Sequence, residues 1–227
     1  MSNTIPRLYP VDNVISNDLR SFDGSQYIYG TGQTQSYRYD YQDLSTQEVI
    51  LNSASVDLPF NTGIITDIKA LSSGNVLVLA KEDDGGVDDD KYFIFYSSAP
   101  FTTWTKSTFA GTSNGPGWTG AIHRVNRKSL GASSWLEATH ADGRTAIFFA
   151  EYNIDNTADQ RECYIWISLD DGVTFDYWWK INGALTANAS TRHIHGIHQD
   201  PVSGDIFICM GDDNNLSHVV RTPAVDR

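Results

Sequence analysis

A chain of 227 residues with 40% hydrophobic residues, including 6 Trp, 11 Tyr and 10 Phe, is long enough to bury a sizeable core. Its 16 basic and 28 acidic side chains leave a formal charge of −12, which repels phosphate backbones and anionic lipid and so speaks against nucleic-acid or membrane-surface partners. No window approaches the roughly 18 consecutive apolar residues of a membrane span.

The N-terminal Met-Ser-Asn-Thr-Ile-Pro-Arg has neither the charged nor the apolar region of a signal peptide. The chain is therefore expected either to stay in the cytosol or to leave with particles on lysis, as a virion protein does, unless an export signal has been removed. Cys163 and Cys209 lie in strand-like runs and are too few for a disulfide framework, so both are expected as buried free thiols.

In chain order, a turn glycine precedes a β run four times. Asp23-Gly24 leads to Gln26–Tyr29, Ser73-Gly74 to Asn75–Leu79, Asp142-Gly143 to Thr145–Phe149, and Ser203-Gly204 to Asp205–Cys209. The glycines lie 50, 69 and 61 positions apart. An apolar segment precedes each turn: Leu19–Phe22, Ile64–Leu71, Ala121–Val125 (or, with a different gap, Trp135–Ala138), and His193–Ile197. A further strand follows each: Tyr37–Tyr41, Tyr92–Tyr96, Tyr164–Ile167 and Val219–Thr222. No segment shows a sustained 3.6-residue apolar period. The predicted fold is all-β and β-propeller-like, one domain of about four antiparallel blade repeats over residues 14–57, 62–111, 118–183 and 190–227. A β-sandwich with glycine turns is the alternative. The residues before Asp23 are available as a missing outer strand; without one, the propeller is incomplete or is completed by another subunit.

Ser168-Leu169-Asp170-Asp171-Gly172-Val173-Thr174-Phe175 joins the third blade's last two strands. The Ser and Asp side chains suit hydrogen bonds to the backbone of a tight turn, Gly172 suits a positive φ, and Phe175 is placed to plug the turn onto the blade. Ser97, Thr103 and Trp104 repeat the spacing 71 positions earlier, with Pro100 and Phe101 in place of the Asp and Gly. The pattern resembles the Asp-box, or BNR repeat, of sialidase-like β-propellers. That resemblance rests on Ser168, Asp170, Gly172, Thr174 and Phe175; it implies the fold and locates a blade without locating a catalytic site.

Candidate sites follow from the blade scheme. His193 and His195 share a parity on the fourth blade's inner strand and face the central channel, with Arg192 beside them and His198 on the opposite parity unless the strand bends at Gly196. His123, followed by Arg124, lies 72 positions before His195 and is expected at the equivalent place in the third blade. These residues, with Trp118 in a turn-rich linker, are the candidate ligand contacts; His193 and His195 are also the candidate metal ligands, although no cofactor is predicted beyond a divalent ion. Glu151, Tyr152 and Asp212 follow the second strands of their blades and are the candidate catalytic groups, since paired carboxylates, or a Tyr beside a Glu, suit glycosidic chemistry. Asp83 to Asp90 form an acidic hairpin loop. Trp178 and Trp179 are neighbours, so only one faces the core of a regular strand. P-loop and HExxH motifs are missing. The function expected is a non-enzymatic recognition or structural module, glycan-binding and part of a phage virion or tail. The alternative is a glycoside hydrolase or polysaccharide lyase working at the channel. Partners are accordingly a glycan or a protein, or a second copy through the blade edges.

Overall fold

The computed structural model describes residues 18–24, 26–31, 35–40, 42–52, 64–81, 91–110, 122–123, 135–140, 142–151, 163–181, 194–211 and 217–223. Among them every regular element is a strand. β1 (Asp18–Phe22), β2 (Tyr27–Thr31), β3 (Gln35–Asp40) and β4 (Asp43–Asn52) form the first sheet in that order. β5 (Ile64–Ala70), β6 (Asn75–Lys81) and β7 (Lys91–Ser98) form the second, and β8 (Thr105–Lys106) lies on the outer edge of β7. β9 (Thr108–Ala110) crosses to the third sheet, whereas β10 (Ile122–His123) returns to β7. β11 (Trp135–Thr139), β12 (Thr145–Ala150), β13 (Cys163–Ser168) and β14 (Thr174–Ile181) make the third sheet, with β9 parallel on β14. β15 (Ile194–Gln199), β16 (Ile206–Met210) and β17 (His218–Thr222) make the fourth. The turn residues Gly24, Gly74, Gly143 and Gly204 all have positive φ, from 74° to 90°.

Among the described residues the sheets stack face to face in chain order without closing a ring, a β-propeller-like architecture rather than a two-sheet sandwich. The burial of the second strands shows why. In β6, Val76 and Val78 enter the cluster shared with the first sheet, while Leu77 and Leu79 enter the one shared with the third. In β12, Ile147 and Phe149 face the second sheet, while Ala146, Phe148 and Ala150 face the fourth. Side chains alternate across a strand, so a strand between two blades must be apolar at every position. In β16 only Ile206, Ile208 and Met210 are buried; Phe207 and Cys209 point to the other face and are half-buried. Cys209 is thus a free thiol, but not the buried one expected.

The Asp-box residues make the local bonds that their spacing suggests. Asp170 accepts from the Ser168 hydroxyl (2.8 Å), the Thr174 N–H (2.9 Å) and the Thr174 hydroxyl (2.6 Å). Ser168 Oγ accepts from the Gly172 N–H at 2.9 Å. Partial burial pulls the Asp170 pKa up, but the Thr174, Ser168 and Val173 donors outweigh it and hold the carboxyl below its ordinary value. Phe175 is fully buried between the second and third sheets. In the worn copy, Ala99 rather than Pro100 stands at the Asp170 position. Phe101 does take the Gly172 position and keeps its left-handed backbone, with φ 61° against 86°. Its ring is buried against the first sheet, and the Trp104 indole N–H donates to the Ile50 carbonyl of β4 at 3.2 Å. Each of these turns therefore plugs the preceding blade.

Residues 105–110 give an outer strand to two successive sheets, which the repeat scheme did not anticipate. At the crossing sits Ser107, 2% exposed; its N–H donates to the Ile94 carbonyl of β7 (2.8 Å) and its hydroxyl to the Gly172 carbonyl (2.6 Å). Ser107→Ala leaves that buried carbonyl without its side-chain donor and is expected to cost about 1–3 kcal/mol. Chemical denaturation measures it, and an unchanged midpoint would remove Ser107 as a tie between blades.

Two expectations need correction. Trp135–Thr139, not Ala121–Val125, is the first strand of the third blade, because Trp135 and Ala138 bury into the two flanking clusters and pair along the whole of β12. Asp18–Phe22 is the first strand of the first sheet, as Leu19–Phe22 was expected to be; the remaining residues before Asp23, 1–17, lie outside the described residues. Trp178 and Trp179 both pack on the cluster between the third and fourth sheets, because Trp166 pairs with Tyr177 and Ile165 with Trp179, leaving Trp178 as an extra, bulged residue.

Candidate functional site

The first strands β1, β5, β11 and β15 begin at the edge of the sheets from which β2, β6, β12 and β16 leave, because each pair is antiparallel. Three of the four first strands carry a bulge near this edge, between Leu19 and Ser21, Ile65 and Asp67, and Ile194 and Gly196. The extra residue in the fourth sheet is His195, which is half-buried. The bulge resets the parity of β15, so that Ile194 and Ile197, three positions apart, enter the same core cluster. His198 is exposed, and its Nε2 lies 3.0 Å from where a Cβ on Gly196 would stand. At the same edge Asp67 follows its bulge; its Oδ2 accepts the Trp135 indole N–H (3.0 Å) and its Oδ1 the Ile68 N–H (2.9 Å), joining the second and third sheets. The sequence reading missed this pair; a carboxylate beside an alternating apolar run is its only trace.

Glu151 follows β12 and is 1% exposed. Its Oε1 accepts the Trp166 indole N–H at 2.8 Å and its Oε2 the Tyr164 N–H at 3.2 Å. Burial pushes the carboxyl up to about 8 against those two donors, which lower it, so the group is mostly protonated at neutral pH. It stands inside the blade as a fixed acceptor and shows no exposed face.

His123 is not on an inner strand. It pairs with Lys91 on the outer edge of β7, in the second sheet, so its equivalence with His195 does not hold; β11 already occupies the inner place. Trp118, Arg124, Tyr152, Arg192, His193, Asp212 and the acidic loop 83–90 lie outside the described residues. Among the described residues no group of three His, Cys, Asp or Glu side chains is placed to hold a metal ion, and no helix is long and apolar enough to cross a membrane.

No family model matches the chain, and no curated protein sequence matches it. Solved structures do. The GH74 enzyme of Niastella koreensis superposes with a TM-score of 0.55 at 17% identity, over 92% of this chain and 28% of that one. NanB with Optactamide gives 0.49 at 15% identity over 88% and 29%, and the Trypanosoma rangeli sialidase in complex with sialic acid 0.42 at 8% over 88% and 27%. The chain thus spans less than a third of the length of each. The class defined by fold is an all-β, β-propeller-like protein. Its structural neighbours are sialidase-like and glycoside hydrolase propeller folds at low identity.

Proposed function

We propose that this chain is a non-enzymatic recognition module whose ligand is a glycan. The observation that supports recognition over cleavage is the state of Glu151. General acid–base work requires hydrogen-bond reach to the scissile oxygen, and this carboxyl is enclosed and held by two donors of its own blade. The likeness to the GH74 enzyme is one of fold, and the glycoside hydrolases among such folds support a glycan as the ligand class. A place in a phage virion or tail is the finer form of this reading. On that form of the reading the chain is expected to co-sediment with intact particles.

The bulge at His195 favours a second reading, cleavage of a glycan at the mouth of the channel, since bulges re-aim side chains beside active sites. Incubating the pure protein with a panel of polysaccharides, and following both retention and product mass, separates the two. Retention without product is the expected result. New reducing or unsaturated ends would replace recognition by cleavage, and neither retention nor product would remove the glycan.

A further inference from the structure

On one side of the third blade five aromatic rings follow one another from the core to the surface. Phe175 stacks on Phe109 (centroids 5.4 Å apart), Phe109 meets Trp166 edge-on (5.0 Å), Tyr164 lies tilted on Trp166 (5.7 Å), and Tyr177 meets Tyr164 edge-on (6.0 Å, 72°). Phe175 and Trp166 are at most 1% exposed, whereas Tyr177 at the far end is 46% exposed and Tyr164 is half-buried. The series is fixed from below. Glu151 holds the Trp166 indole, and the crossing segment through Ser107 brings Phe109 onto it. The outermost rings sit on β13 and β14, paired strands, and so are preorganised.

Resting on the glycan reading above, we propose that Tyr164 and Tyr177 form a stacking subsite for a neutral sugar ring. A tyrosine offers an apolar face with a hydroxyl at its tip, and a pyranose or furanose offers an apolar C–H face rimmed by hydroxyls; the two match without charge. Rings with two side-chain torsions lose little entropy on binding. The charge of −12 disfavours anionic sugars and selects neutral ones.

The test titrates the full chain with cello-, xylo- and arabino-hexaose and with oligogalacturonate by calorimetry, comparing the unaltered protein with Tyr177→Ala and Tyr177→Trp. At least one neutral oligosaccharide is expected to bind, with affinity about tenfold weaker for Tyr177→Ala, a loss on the scale of one aromatic contact. Tyr177→Trp is expected to retain binding, and all three proteins to share an unfolding midpoint. Undiminished binding by Tyr177→Ala would overturn the subsite and leave the glycan reading standing. Binding of oligogalacturonate alone would overturn its neutral preference. No binding of any sugar by the unaltered protein would overturn the glycan reading and the subsite together.

Discussion

Gly172→Ala is expected to lower the unfolding free energy by about 2–5 kcal/mol, from two separable causes. The backbone there has φ 86°, where an L side chain costs roughly 1–2 kcal/mol. A Cβ at this position also falls well inside contact with Cδ2 of Leu77, which is fully buried between the second and third sheets. Forcing extra volume into a packed core costs typically about 1–3 kcal/mol. Gly143→Ala is the control: its φ is also 86°, but a Cβ meets nothing within 4 Å. Chemical denaturation of both variants isolates the packing contribution as their difference. Equal losses would show that the Asp-box turn does not press on the preceding blade. A larger loss for Gly172→Ala, partly relieved in the background of Leu77→Ala, would place the contact where the geometry has it.

The stacking of the blades was legible in the chain because its physics is local and periodic. Asn75–Leu79 and Thr145–Phe149 lead into runs apolar at successive positions, as strands covered on both faces must be, and the second and third sheets are the two flanked on both sides. The Asp-box turn was equally plain, since its bonds join residues at most four apart. What escaped depends on pairing partners distant in sequence. Nothing around Ser107 marks it as the crossing between β7 and the third sheet. The spacing of His123 from His195 imitated a repeat, whereas the pairing with Lys91 puts it on another sheet's outer edge. The bulges at Trp178 and His195 shift parity by one, and an alternation rule has no means of seeing them. In the sequence Glu151 is a polar residue just after a strand, and so a candidate catalytic group. Its burial depends on the indole of Trp166, fifteen residues away, reaching back across the sheet.

Glu151→Gln is expected to flatten much of the pH dependence of stability. A buried carboxyl with its pKa raised to about 8, against an ordinary 4.5, is protonated in the folded chain and ionised in the unfolded chain between these values. The unfolded state then binds fewer protons, so stability falls as pH rises. The contribution of the protonated group is fully present below about pH 4.5 and is lost by about pH 8. One pKa unit corresponds to about 1.4 kcal/mol, so the window is worth on the order of a few kcal/mol. Gln cannot ionise, has nearly the same shape, and keeps an oxygen for the Trp166 indole. The variant should therefore equal or fall below the native protein near pH 5 and exceed it near pH 9, the two stability curves crossing in between. Denaturation at pH 5, 7 and 9 with tryptophan fluorescence follows both stability and the Trp166 environment. Parallel curves would mean that Glu151 does not change its protonation on folding, and would overturn the raised pKa of this buried carboxyl.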